Sequence, residues 1–221
     1  MGDHIRWRML GDEIAAFLLS AGCAGCDVLG TLLCPDCSEA LAAFPVRRET
    51  AAGLPVVAAL TFEGVPARCI RRLKEEGETM LARPLGAALR AAIDEFPTAS
   101  PAPLLVPIPT GRAAFRRRGY RVPEVLIRHA GFAASRVLAT ARTTADQRGL
   151  DVAERERNVA HSMRVRHARG GRDVVLIDDV VTTGATLDEG ARALNDAGFR
   201  VRGAVTLAAT VRRRAFTANA S

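Results

Sequence analysis

A chain of 221 residues with 48% apolar and 25% charged side chains holds one α/β domain of ordinary size and a small appendage, which excludes general disorder. Its formal charge of +7 attracts polyanions such as nucleic acid, anionic lipid or diphosphate-bearing metabolites. Lys74 is the single lysine, so the excess is almost all arginine, a skew that a GC-rich coding bias alone also produces.

In chain order, Ile14 to Cys23 reads IAAFLLSAGC behind Arg6 and Arg8 and has the outline of a signal peptide. Asp12 and Glu13 interrupt that outline and the apolar run is short, so helical spacing of Ile14, Phe17, Leu18 and Ala21 is expected to lay it on a core. The first 45 or so residues form a small unit holding two cysteine pairs. Val56 to Phe62 has β-character, Arg68 to Glu76 reads as a basic helix, and Leu81, Leu85, Leu89 and Ile93 mark a second helix over roughly 79–96. After a Pro/Ser/Ala connector at 97–103, Leu104 to Ile108 is a buried strand and Val122 to Ala130 a helix with Pro123 in its first turn. Arg136 to Ala141 is another strand candidate. Residues 142–160 are polar, as a mobile loop or an exposed helix would be. Val174 to Ile177 is a strong strand, Leu187 to Ala197 a helix stopped by Gly198, and Val201 to Ala209 a further strand. Strands alternating with helices predict a mostly parallel sheet covered on both faces, with a frayed tail from about Arg212. No stretch reaches the roughly 20 apolar residues of a membrane span, and a cytoplasmic protein is expected.

The richest stretch is Val174-Val-Leu-Ile-Asp-Asp-Val-Val-Thr-Thr-Gly-Ala-Thr186. A buried strand is expected to end at two aspartates, followed by a hydroxyl-rich turn and a helix. In open α/β sheets ligands bind beyond the carboxyl ends of strands, and a helix start there offers N–H groups and partial positive charge to a phosphate. Gly184 permits close backbone approach and positive φ, while Thr182, Thr183 and Thr186 add hydroxyl donors. Asp178 and Asp179 repel a phosphate but accept hydrogen bonds from the hydroxyls of a ribose carrying it, and one of them suits Mg2+ held through water. The competing reading is a plain capped strand–turn–helix, yet adjacent acids at the end of a buried strand are costly without a partner.

This stretch resembles the motif by which type I phosphoribosyltransferases bind PRPP (5-phosphoribosyl-1-diphosphate). The resemblance implies that Asp178 and Asp179 take the 2′- and 3′-hydroxyls and that Thr182, Thr183, Gly184, Ala185 and Thr186 cradle the 5′-phosphate. Further segments narrow the likeness to the ComF family, which is linked to competence and DNA uptake. They are Phe62-Glu-Gly with Ile70-Arg-Arg-Leu-Lys-Glu-Glu-Gly77, Val106-Pro-Ile-Pro109 with Arg112 and Arg116-Arg-Arg-Gly-Tyr120, and Arg142-Thr-Thr-x-x-Gln147 with Leu150, Arg155 and Asn158-Val159. Arg121 and Val122 stand where the family carries Asn-Gln, so whatever those amides do elsewhere is altered here. By the same likeness Pro107, Pro109 and Arg112 belong to a pyrophosphate loop. Arg148, Arg155 and Arg157 belong to a flexible loop that closes over the diphosphate, with a solvated ion-paired helix as the equal alternative.

Cys23-Ala-Gly-Cys26 and Cys34-Pro-Asp-Cys37 form two C-x-x-C knuckles seven residues apart. Such pairs place four thiolates around Zn2+, and a closed four-sulfur site is structural; redox pairs or free thiols are the other reading. The spacing resembles the zinc finger of the ComF family, and lone Cys69 reads as core. The expected architecture is therefore an α/β, type I phosphoribosyltransferase-like domain over 46–221 behind a zinc-finger unit over 1–45. Two functions stay open. One is a phosphoribosyltransferase using PRPP with Mg2+, for which His129, His161 and His167 supply no recognisable general base. The other is a non-catalytic competence protein that handles single-stranded DNA beside a helicase-like partner, its basic segments following the backbone and its scarce aromatics counting against it.

Overall fold

The structure is a computed structural model that describes residues 22–97, 102–141, 161–166 and 170–211. The candidate flexible-loop residues Arg148, Arg155 and Arg157 and the apolar run before Gly22 lie outside the described residues.

Five strands form the main sheet: β1 (Val46–Glu49), β2 (Pro55–Thr61), β3 (Leu104–Pro107), β6 (Asp173–Val181) and β7 (Arg200–Ala209), in the order β1-β2-β7-β6-β3. All neighbours are parallel except β1, which returns antiparallel along β2. The short strands β4 (Leu138–Thr140) and β5 (Met163–Val165) pair separately as an antiparallel ribbon. The helices are α1 (Pro35–Glu39), α2 (Gly64–Arg71), α3 (Ala82–Asp94), α4 (Arg112–Arg118), α5 (Val122–His129) and α6 (Ala185–Asp196).

The central strands are apolar on both faces because both are covered. On one face Leu85 and Leu89 of α3 and Leu126 and Ile127 of α5 pack on Val175, Ile177, Val205 and Leu207. On the other, Leu187 and Leu194 of α6 pack on Val174, Leu176 and Ala204. The path from β2 through α3 to β3 crosses the sheet in one direction, and the path from β6 through α6 to β7 steps back in the other. Crossovers of one hand that run in opposite directions must use opposite faces, and the crevice between them opens at the strands' carboxyl ends. Ala24 and Leu41 of the cysteine unit join the first of these apolar clusters, so the unit is packed on the sheet domain.

Most expected elements are present with shifted ends, and three differences have physical causes. The basic helix begins at Gly64, and from Arg72 to Glu76 it widens into a π-helical turn. β1, with its exposed VRRE sequence, carries no apolar alternation to betray it, because an edge strand with an open face buries little. The strand expected to stop at Ile177 continues to Val181, so the two aspartates lie within β6 and do not follow it. Up to Ile177 this strand is paired with β3; beyond that, the ladder with β7 alone carries it on to Val181.

Candidate functional site

The departure of β3 creates the opening. Pro107 is the register partner of Ile177, and the Ile108 N–H donates to the Ile177 carbonyl at 2.9 Å, after which the chain turns away toward Pro109 and Arg112. The candidate diphosphate loop thus leaves the sheet at the level where the acidic pair begins. Successive side chains of a strand point to opposite faces, so Asp178 shares a face with Leu176 and Asp179 with Ile177. The Asp178 Oδ1 accepts the Asp179 N–H at 2.8 Å, and Thr206 of β7, whose buried hydroxyl has no partner, is Asp178's register neighbour. Burial, and then the adjacent Asp179 charge, push the Asp178 carboxyl up to about 8, against the lowering pull of the Asp179 N–H and of Lys74.

The turn after β6 is built for close approach. Thr182 and Thr183 are exposed, and Gly184 is the N-cap of α6 with φ of 92°; no side chain caps this helix. Its first N–H groups therefore lack a capping side chain, beside the 3.3 Å bond from the Ala185 N–H to the Thr183 hydroxyl. What crowds Gly184 is a side chain of the protein's own: a Cβ there would lie 2.5 Å from Thr50 Cγ2. Thr50 also donates to Asp188, and Arg48 donates from Nη2 to the Thr182 carbonyl at 2.9 Å and from Nη1 to the Thr210 carbonyl at 3.2 Å.

Pro107, Pro109 and Arg112 line a cavity of about 230 Å³ at the edge of the sheet. Arg121, Arg136, Arg164 and Arg166 face the same cavity, against the single acid Glu124, which holds Arg136 at 2.6 Å. Asp178 and Asp179 do not line it. Arg116, Arg117 and Arg118 lie on α4, whose residues are all at least partly exposed.

Two residues with consequences for the site escaped the sequence. Lys74, on the π-helical turn, reaches Asp179 at 3.0 Å. Glu189, 5% exposed on α6, accepts the Met163 N–H at 2.9 Å and is bridged by Arg192 at 2.7 Å, fixing β5 at the foot of the 142–160 segment. Lys74 was hidden inside a charged run, and Glu189 looked like any solvent-facing glutamate of an amphipathic helix.

The sulfurs of Cys23, Cys26, Cys34 and Cys37 lie within 4.8 Å of one another, and Cys26 and Cys34 are 3.7 Å apart. A tetrahedral ion with Zn–S of about 2.3 Å requires an edge of about 3.8 Å, so the donor set fits that metal. Cys23 also receives N–H bonds from Gly25 at 3.4 Å and Cys34 at 3.3 Å; although burial raises its pKa, these donors bring it down to about 6. Cys37 fits only because residue 25 has no side chain, since a Cβ there would sit 2.5 Å from its sulfur. Arg68 donates to the Gly25 carbonyl at 3.1 Å and to Asp27 at 2.9 Å, clasping the unit to α2. Cys69 is buried and its thiol is pushed up to about 11 by burial, as befits a core position.

Among known proteins, the family model described as the phosphoribosyl transferase domain matches residues 116–219. The "DNA utilization protein YhgH" of Escherichia coli is 33% identical over 96 residues, covering 41% of this chain and 42% of that protein, and its Shigella flexneri counterpart is 32% identical over the same length. The chain thus spans about two fifths of these relatives. Solved structures similar to it include the adenine phosphoribosyltransferase of Leishmania donovani, at 16% identity and TM-score 0.36 over 63% of this chain and 56% of that one. The orotate phosphoribosyltransferase of Mycobacterium tuberculosis is 16% identical, with TM-score 0.33 over 78% and 83%. Among the described residues no helix is long and apolar enough to cross a membrane. This chain thus carries a segment similar to the phosphoribosyl transferase domain and to the YhgH proteins, together with a four-cysteine cluster near its N-terminus.

Proposed function

We propose that the chain binds PRPP or a related ribose 5-phosphate, the ribose hydroxyls on Asp178 and Asp179 and the 5′-phosphate on the turn from Thr182 through Thr183, Gly184 and Ala185 to Thr186. The observation that carries this reading is the uncapped start of α6, which continues directly from the strand bearing both acids. Pro107, Pro109 and Arg112 would meet the diphosphate, with Mg2+ entering on the diphosphate oxygens. Arg148, Arg155 and Arg157 belong to this reading as closing residues. The four cysteines hold structural Zn2+ in a unit over 1–45, ahead of the ribose-phosphate domain over 46–221. Four ligand thiolates are kept reduced in the cytoplasm, where we place the protein. The likeness to DNA utilization proteins connects the site with DNA uptake or with salvage of the resulting nucleotides.

The test is a melting-temperature screen of the full chain with PRPP, AMP and ribose 5-phosphate, with and without Mg2+. A ligand at about 100 times its Kd adds about 2.7 kcal/mol of stability, so a clear upward shift is expected. The double variant Asp178→Ala/Asp179→Ala is expected to stay folded and to abolish the shift. A shift that survives in that variant removes the role given to the acids. Release of pyrophosphate with a base or amine acceptor would make the protein a transferase.

One observation favours a second reading, in which the protein also follows single-stranded DNA beside a helicase-like partner. A cleft of about 720 Å³ along α5 combines Phe115, Tyr120 and Phe132 with Arg121, Arg128 and Arg136. Aromatic faces beside arginines suit bases and backbone together. Backbone binding must weaken steeply with salt, so salt-independent affinity for an oligonucleotide would exclude it.

A further inference from the structure

The π-helical turn Arg72–Glu76 carries one residue more than an α turn, and such turns concentrate at functional positions. This one is braced on both sides of Lys74. Arg72 is paired with Asp27 and, at 3.3 Å, with Glu78. The Leu73 carbonyl accepts a hydrogen bond from the Tyr120 hydroxyl of the Arg-Gly-Tyr segment. Held between these anchors, the Lys74 ammonium straddles the Asp179 carboxylate, at 3.1 Å from Oδ1 and 3.0 Å from Oδ2. The two side chains are only 26% and 14% exposed, so water screens the pair weakly.

The residue type is informative. Every other member of the Lys+Arg total of 31 is arginine, and the one ammonium stands on the acid of the candidate ribose site. An ammonium is a compact point charge with three donors, whereas guanidinium is a broad planar fork. Contact with both Asp179 oxygens leaves donor capacity for a ligand, which a fork laid bidentately on the same carboxylate would turn away.

We propose that Lys74 is the resident cation of the ribose-phosphate site, balancing Asp179 where a divalent ion would otherwise be needed and offering its remaining N–H to the ligand. The inference rests on the reading of the acids given above. It makes Lys74 a positioning residue and removes Mg2+ from recognition of a simple ribose phosphate, leaving that ion to the diphosphate. The metal requirement of ribose 5-phosphate binding, not activity, is therefore the quantity to measure.

Ribose 5-phosphate is titrated calorimetrically into the full chain, with Mg2+ present or simply omitted so that no chelator disturbs the cysteine cluster. Wild-type affinity is expected to change less than about 2-fold between the two conditions. Lys74→Met is expected to lose at least about 10-fold without Mg2+, the scale of one charged hydrogen bond, and to recover most of it when Mg2+ is added. Lys74→Arg should restore charge without restoring affinity. Wild-type affinity in Lys74→Met under both conditions, or a strict Mg2+ requirement in the wild type, overturns the proposal while leaving the ribose-phosphate reading intact. No binding by the wild type under either condition sinks that reading, and this proposal with it. If Lys74→Met fails to fold, the charge-matched pair Lys74→Met/Asp179→Asn is compared with Asp179→Asn alone; the pair is expected to bind more weakly than the single variant without Mg2+, and equal affinity overturns the proposal.

Discussion

Asp178 shows how one side chain reports its surroundings. Its carboxyl moves from 3.8 to about 8, driven first by burial and second by its negative neighbour. A folded-state value above the unfolded one means the native chain holds the proton more tightly. This group's stabilising contribution is thus complete below pH about 4, declines as pH rises and is gone above about 8. In ligand-free protein, urea unfolding across that window should show wild-type stability falling relative to Asp178→Asn; a constant difference would disprove the buried, proton-retaining carboxyl. Near neutrality such a carboxyl is both donor and acceptor, which suits a sugar hydroxyl. The importance of the two acids was legible from the sequence, because adjacent carboxylates after four apolar residues are costly to leave unpaired. The ion pair on Asp179 was not, since its partner is a lysine more than a hundred residues earlier.

At the scale of elements, the strand–turn–helix was the clearest feature of the sequence and its details were set from outside it. Apolar period and a glycine stop identified β6 and α6, but β6 outlasts its apolar run because β7 continues to pair with it after β3 has left. The glycine of the turn was read as room for a ligand, whereas the atoms against it belong to Thr50. Gly184→Ala therefore meets both an unfavourable φ of 92° and a contact of 2.5 Å. Its cost should be at least about 2 kcal/mol in denaturant unfolding, and a loss below about 0.5 kcal/mol would refute the crowding described. The π-helical turn had no signature that periodicity can detect, because widening a helix by one residue only blurs the pattern that follows. β5 is equally silent: its three residues gain their place from Glu189, not from their own composition.

Over the whole molecule, the alternation of strands and helices predicted a mostly parallel sheet, and the order of the strands gives that sheet one crevice with chemistry on both sides. The cysteine spacing predicted a four-sulfur site; what spacing could not convey is where the unit docks. Asp27, two residues beyond Gly25, takes both Arg68 and Arg72, and Arg72 opens the turn that presents Lys74. Loss of the metal should consequently be felt at the sheet. Cys37→Ser is expected to bind no Zn2+ and to lower both the melting temperature and the affinity for ribose 5-phosphate, as metal content and calorimetry would show; unchanged affinity in a metal-free chain would uncouple the two sites. The strap formed by β1 has a different kind of effect. Arg48 of β1 donates to the Thr182 carbonyl, and Thr50 just beyond that strand donates to Asp188 and lies against Gly184, so the turn after β6 is tied down by the protein itself. On the proposed reading, capture of an anion at this turn would forfeit little backbone freedom and displace chiefly solvent, and discrimination among guests would fall to how well each one's oxygens match a preformed mould.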